Sequence, residues 1–80
     1  MRLDKYLKLS RIIKRRTVAN EACDNGRVIV NGKVARASYD VKIGDIIEIS
    51  FGTRNFKAQI TAINEVVRKD DATLMYSVME

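Results

Sequence analysis

Residues 11–16 read RIIKRR, four cations in six positions of an 80-residue chain. Lys14, Arg15 and Arg16 stand immediately before a segment, TVANEAC, that reads as a helix. A helix N-terminus carries unpaired N–H donors and about half a positive charge from its aligned peptide dipoles. Cations placed there oppose the helix, and a sequence shaped for stability alone would put Asp or Glu in their place. The arrangement makes sense if a phosphate is to be bound at that point. The whole chain agrees. Its formal charge is +5 and its isoelectric point about 9.7. Residues 1–40 hold ten cations against four acids, and residues 41–80 hold five against six. All the excess positive charge lies in the first half, which suits a polyanion, nucleic acid before anionic membrane.

Other chemistry is poorly represented. The chain has no histidine, so the usual general base at neutral pH is missing. Its serines sit in no nucleophile motif, and its lone glycines form no phosphate-cradling loop. Asp70 and Asp71 read as solvated surface. Cys23 is the one cysteine; it can form no internal disulfide, makes no zinc site, and reads as a small buried hydrophobe. No catalysis, metal or cofactor is expected. There is no apolar run near membrane-spanning length, and Lys5, Lys8 and Arg11 break any apolar signal core, so a cytoplasmic protein that does not insert in membranes is expected.

The elements that must position the cations follow from periodicity. Leu3, Tyr6, Leu7 and Ser10 have helical spacing, with Arg2, Lys5 and Lys8 nearly opposite. A second helix is expected from Thr17 as N-cap, with Val18, Ala19, Ala22 and Cys23 as an apolar stripe and Gly26 past its end. Val28–Val30 reads as a strand, Asn31-Gly32 as a hairpin turn and Lys33–Ala35 as its return. Ile47, Ile49 and Phe51 form one face of a further strand. Phe56, Ala58, Ile60 and Ala62 form one face of another, with Gly52-Thr53 between them. Residues 68–71 read as a loop or single turn, and Leu74, Tyr76 and Val78 as a last short strand. Tyr6 belongs to the core, while Tyr39, in a loop, stays open to stacking on a base. The fold class is α+β, two short N-terminal helices on a small, mostly antiparallel sheet, in one domain over 1–80.

The blocks RLDKYL, RRTVANEACDNGRVIVNGKVA and VKIGDIIEI, in this order, resemble the RNA-binding domain first described in the small-subunit ribosomal protein S-four. They span residues 2–49, leaving 50–80 as a C-terminal β extension. One departure is visible: KRRT stands before the second helix where many members have Ser-Arg-Ser/Thr. Over nearly the full length, MRLDKYLKLSRIIKRRT, FGTRNFKAQI and KDDATLMY resemble the RqcP family of ribosome-associated quality control, relatives of the fifteen-kilodalton heat-shock protein. That resemblance implies a non-catalytic factor on the large ribosomal subunit. It would touch ribosomal RNA and the P-site peptidyl-tRNA of a stalled chain, and work beside RqcH, which adds alanine tails. A general rRNA-binding or assembly protein, or a targeting module for a separate RNA-modifying enzyme, are the alternatives within the same domain class.

The expected RNA-binding surface comprises Arg2, Lys5, Lys8, Arg11, Lys14, Arg15 and Arg16 as cations and Thr17 and Asn20 as neutral partners. Arg27 and Lys33 would flank it from the hairpin. Arg2 and Arg16 rank first, because a planar guanidinium grips phosphate in two places and both match the family's arginines. Asp4 is expected to support the first helix or orient an arginine. Nothing demands a dimer, so a monomer is expected.

Overall fold

A computed structural model describes residues 1–64 and 75–79. Helix α1 spans Leu3–Leu9 and α2 Arg16–Asp24; strands follow at β1 Val28–Val30, β2 Lys33–Val34, β3 Ile46–Phe51, β4 Arg54–Ile60 and β5 Tyr76–Val78. The strands make one sheet in the order β2-β1-β3-β4-β5, antiparallel at every described pairing. This is the α+β arrangement that periodicity predicts. Among the described residues no helix is long and apolar enough to cross a membrane.

A seven-residue helix is unstable alone, so α1 depends on what it touches. Leu3, Tyr6 and Leu7 are fully buried in the single described core cluster, and the Tyr6 hydroxyl donates to the Met75 carbonyl at 2.7 Å. The N–H groups of the first three helical residues are all bonded. The Leu3 N–H donates to the Tyr39 carbonyl (2.8 Å), the Asp4 N–H to the Ala37 carbonyl (3.2 Å) and the Lys5 N–H to the Asp4 carboxylate (2.8 Å). The loop at 37–39 is therefore bonded to the first turn of α1.

Helix α2 begins earlier than its sequence suggests. Its N-cap is Arg15, extended at φ −115° and ψ 130°, with no side-chain cap; Thr17 lies inside the first turn. The physical reason is visible one turn on: Arg16 and Asn20, four residues apart, reach the same carboxylate of Asp4, and that requires Arg16 to be helical already. The stripe is also narrower than expected. Ala19 and Cys23 are buried and Ala22 partly so, but Val18 is 48% exposed. The helix ends in a Schellman motif. The Arg27 N–H donates to the Ala22 carbonyl at 3.0 Å and the Gly26 N–H to the Cys23 carbonyl at 3.1 Å, with Gly26 at φ +75°.

The hairpin β1–β2 turns through Asn31 and Gly32, both at positive φ, as a two-residue turn between strands of right-handed twist requires. Val28, Val30, Ile47, Ile49, Ala58 and Ile60 form the buried sheet face. Phe51, expected to share it, is 46% exposed at the strand's end, beside the turn at Gly52. Ala62 lies beyond β4. The expected strand over Leu74, Tyr76 and Val78 is present as Tyr76–Val78, whereas Leu74 and residues 68–71 lie outside the described residues. Burial pushes the Cys23 thiol up to about 11, so it stays protonated and packs as a hydrophobe.

Gly26→Val tests this frame. A β-carbon at Gly26 would lie 3.9 Å from Val34 Cγ1, so space permits it, but φ +75° does not. A loss of about 1–2 kcal/mol or more is expected from backbone strain, read as a lowered urea midpoint. Unchanged stability would remove the Schellman end from the account.

Candidate nucleic-acid interface

The site is organised by an acid. Asp4 is 2% exposed and its carboxylate is surrounded by donors. Arg2 contributes Nε at 3.2 Å and Nη2 at 3.4 Å, Asn20 contributes Nδ2 at 3.2 Å, Arg16 contributes Nε at 3.5 Å, and the Lys5 N–H completes the set. Burial by itself would raise the carboxyl pKa. The hydrogen bonds from Asn20, Arg2 and the Lys5 N–H, with the charge of Arg16, outweigh burial and hold it below the usual carboxylate range. Asp4 therefore stays charged, and it orients two arginines without facing solvent itself.

The two guanidiniums are half exposed, at 51% for Arg2 and 50% for Arg16. Arg16 is held at the outer limit of a hydrogen bond. Ion pairs that wet are worth about 0–1 kcal/mol, so Arg16 can turn toward an incoming phosphate at little cost to the fold. Asn20 differs: one N–H of its amide is directed at Asp4, leaving the second N–H and the carbonyl oxygen for other partners. Arg16, Thr17, Asn20 and Glu21, with Asp4, line a shallow hollow of about 370 Å³. Glu21 is an acid on that rim and limits the basic face on one side.

Lys8, Arg11 and Lys14 line a neighbouring hollow of about 310 Å³. None of these three, nor Arg15, is in an ion pair among the described residues. The RIIKRR segment is split by burial. Ile13 is 6% exposed and Ile12 packs partly against the core, so Arg11, Lys14, Arg15 and Arg16 are left outside. Arg11 sits at φ +62°, a conformation that costs a non-glycine residue about 1–2 kcal/mol. Helix α2, for its part, has no side-chain cap and no acid in its first turn. The local cost anticipated at this point of the chain is real on both sides of the loop.

Two expected residues do not join this group. Arg27 follows Gly26 at the opposite end of α2 from Arg16, about 13 Å along a nine-residue helix. Lys33 lies on the edge strand β2, beside a different hollow. Lys5 is half-buried on α1. Arg36, which the sequence reading left out of the surface, lies beside Lys33; the turn that places it has no periodicity from which to read a face.

Two measurements follow from this geometry. Asp4 and Asp45 are both held below the ordinary value of 3.8. The unfolded chain then binds more protons in acid, so their contribution is complete above about pH 5 and is lost as pH falls through 3.8 toward the folded values. Urea midpoints should be flat from pH 7 to 5 and drop below pH 4. Asp4→Asn should lose about 1–3 kcal/mol at pH 7 and flatten the acid limb; an unchanged limb would mean Asp4 is not the anion described. Arg11→Gly should do the opposite to stability, gaining about 0.5–1 kcal/mol by relieving positive φ, while weakening RNA binding. A variant that loses stability would show that the Arg11 side chain is there for packing.

Comparison with known proteins adds family to geometry. Residues 1–47 match the S4 domain family. The chain is 53% identical over 78 residues to the RQC P-site tRNA stabilizing factor of Halalkalibacterium halodurans, covering 98% of this chain and 89% of that one. It is 49% identical over 79 residues to the protein of the same name in Streptococcus pneumoniae, covering 99% and 90%. In structure it is similar to the trimeric heat shock protein 15 of Vibrio cholerae, with a TM-score of 0.91, 31% identity, and coverage of 99% of this chain and 81% of that one. The buried Asp4, its two arginines and the cation loop all lie within the stretch that matches the S4 domain, and the chain belongs to the family of RQC P-site tRNA stabilizing factors, the group its sequence resembles under the name RqcP.

Proposed function

We propose that the protein is a non-catalytic RNA-binding factor of ribosome-associated quality control. It binds the large ribosomal subunit while a stalled chain remains on P-site tRNA, contacts both rRNA and that peptidyl-tRNA, and supports alanine tailing by RqcH on the same subunit. The observation that carries this reading is the pair Arg2 and Arg16, oriented by one buried carboxylate and flanked by unpaired Lys8, Arg11, Lys14 and Arg15. The names of its relatives supply the ribosomal setting.

The mechanism is recognition of backbone and shape. A pre-oriented guanidinium meets phosphate bidentately. Several such contacts release counterions, so affinity falls steeply with salt. Folded rRNA and tRNA present phosphates at fixed positions, which a rigid face can match without reading bases. A stabilising factor needs no chemistry of its own, since holding tRNA in place lengthens its residence while the partner reacts. The protein acts as a monomer in the cytoplasm, where its ribosomal partner is.

Arg16→Ala separates binding from folding. RNA affinity should fall by about 1–3 kcal/mol, as for loss of one charge-assisted contact, while stability changes by less than about 1 kcal/mol because the pair with Asp4 is half wet. In a sucrose gradient of a gentle lysate, the wild type should travel with large subunits that carry peptidyl-tRNA, and the variant should stay at the top. Migration with tRNA-free precursor particles would instead identify a general assembly factor.

A further inference from the structure

A hollow of about 620 Å³ lies between the β1–β2 hairpin and the turn at residues 36–39, away from the Arg16 group. Its lining includes Lys33, Val34, Arg36, Ser38 and Tyr39, and no acid. Val34 is 65% exposed on the edge strand, and Lys33 and Arg36 are in no ion pair among the described residues. Two unpaired cations, a hydroxyl, an aromatic ring and an aliphatic side chain are the complement of a nucleotide, with an anionic phosphate at one end and a flat apolar base at the other. The volume is within the range of small-ligand sites.

The walls are held in place. Asp45, 7% exposed, accepts from Asn31 Nδ2 at 2.9 Å, from the Tyr39 hydroxyl at 2.9 Å and from the Lys42 N–H at 3.0 Å. Asn31 Oδ1 in turn accepts the Ile46 N–H at 2.9 Å. One carboxylate therefore ties the hairpin turn to the tyrosine. Tyr39 is half-buried, packed in part against the core and held at its hydroxyl by Asp45, and it contributes to the lining of the hollow. The turn is closed by the Tyr39 N–H donating to the Arg36 carbonyl at 3.0 Å, and its backbone is bonded to the start of α1 beside Arg2.

We infer that the hollow between the hairpin and the 36–39 turn takes an unpaired nucleotide of the bound RNA, its base against Tyr39 and Val34 and its phosphate between Lys33 and Arg36. This rests on the reading of the arginine face as an RNA surface, and it adds to that face a preference for RNA with a splayed or single-stranded residue next to structured backbone. An acidic peptide would need the cations but not the ring, so the two occupants separate on Tyr39.

The test is a titration of the full-length ¹⁵N-labelled protein with single-stranded hexauridylate and, separately, with a blunt twelve-base-pair RNA duplex. Hexauridylate should shift the amides of Lys33, Arg36, Ser38 and Tyr39; the duplex should shift residues around Arg11–Arg16 and leave the hollow unmoved. Tyr39→Ala and Arg36→Ser should each weaken hexauridylate about five- to 100-fold, the scale of one stacked base or phosphate contact, with duplex affinity unchanged. Tyr39→Phe removes the bond to Asp45 but keeps the ring, so it should retain hexauridylate binding and shows whether any loss in Tyr39→Ala is one of folding. Hexauridylate shifts confined to Arg2–Thr17, or equal loss in Tyr39→Phe and Tyr39→Ala, would overturn the nucleotide site. An acidic hexapeptide binding with full affinity to Tyr39→Ala would assign the hollow to protein instead. Failure of the duplex to bind at all would reject the arginine face, and with it the proposed function, independently of the hollow.

Discussion

A buried anion is the constraint on which the rest of this small domain depends. Removing a carboxylate from water costs several kcal/mol unless its oxygens are saturated by donors. Asp4 meets that requirement with groups from three places: the N–H of its own helix, Arg2 just before it, and Arg16 and Asn20 from α2. The consequence is geometric. Helix α2 must begin early enough to place Arg16 and Asn20 on one face, and it must approach α1 closely, which the small buried residues Ala19 and Cys23 permit. The same bonds that make the acid tolerable in the core fix the directions of two arginines at the surface.

The device is used twice. Asp45 is a second buried carboxylate saturated by donors from separate segments, here the hairpin turn, Tyr39 and a loop N–H. In both places an internal negative charge organises an external surface without appearing on it. Lys8, Arg11, Lys14, Arg15, Lys33 and Arg36 are in no ion pair among the described residues, while Asp4 and Asp45 are held beneath the surface and Glu21, Asp24 and Asp40 stay exposed.

The parts legible in the sequence were those with short-range causes. Leu3, Tyr6 and Leu7 have a helical spacing that depends on nothing distant, and Asn31-Gly32 is a turn because those residues accept positive φ. Gly26 ends α2 for the same reason, and the alternation through Ile47 and Ile49 needs only a strand. The parts that were misread depend on contacts far away in the chain. Thr17 has the right chemistry for a cap, but Asp4, thirteen positions earlier, draws the helix start past it. Val18 fits the apolar pattern of α2, yet it stays about half exposed among the described residues. Arg27 and Lys33 are not among these misreadings: they carry the right charge for a flanking role, and the helix end and the edge strand place them apart from the Arg16 group. Of the hollow beside Tyr39 the sequence offered two members, the loop tyrosine open to stacking and Lys33, but not their meeting, because the turn that forms it has no period and the acid that secures it comes from the start of another strand.

The question of why four cations crowd into RIIKRR has its answer in the two residues between them. A basic tail would bind RNA equally well by charge, but it would lose conformational freedom on binding, at about 0.5–1.5 kcal/mol for each long side chain immobilised. Burial of Ile13, and partial burial of Ile12, pins the loop from beneath. The Ile13 N–H donates to the Leu7 carbonyl at 3.1 Å and the Arg11 N–H to the Lys8 carbonyl at 3.1 Å, so its backbone is set before any partner arrives. The strained φ of Arg11 and the acid-free start of α2 are the counterpart of that arrangement. The free energy is spent in the fold, once. Under the function proposed above, a face set in this way suits phosphates whose spacing is already fixed better than a flexible strand that must itself be ordered.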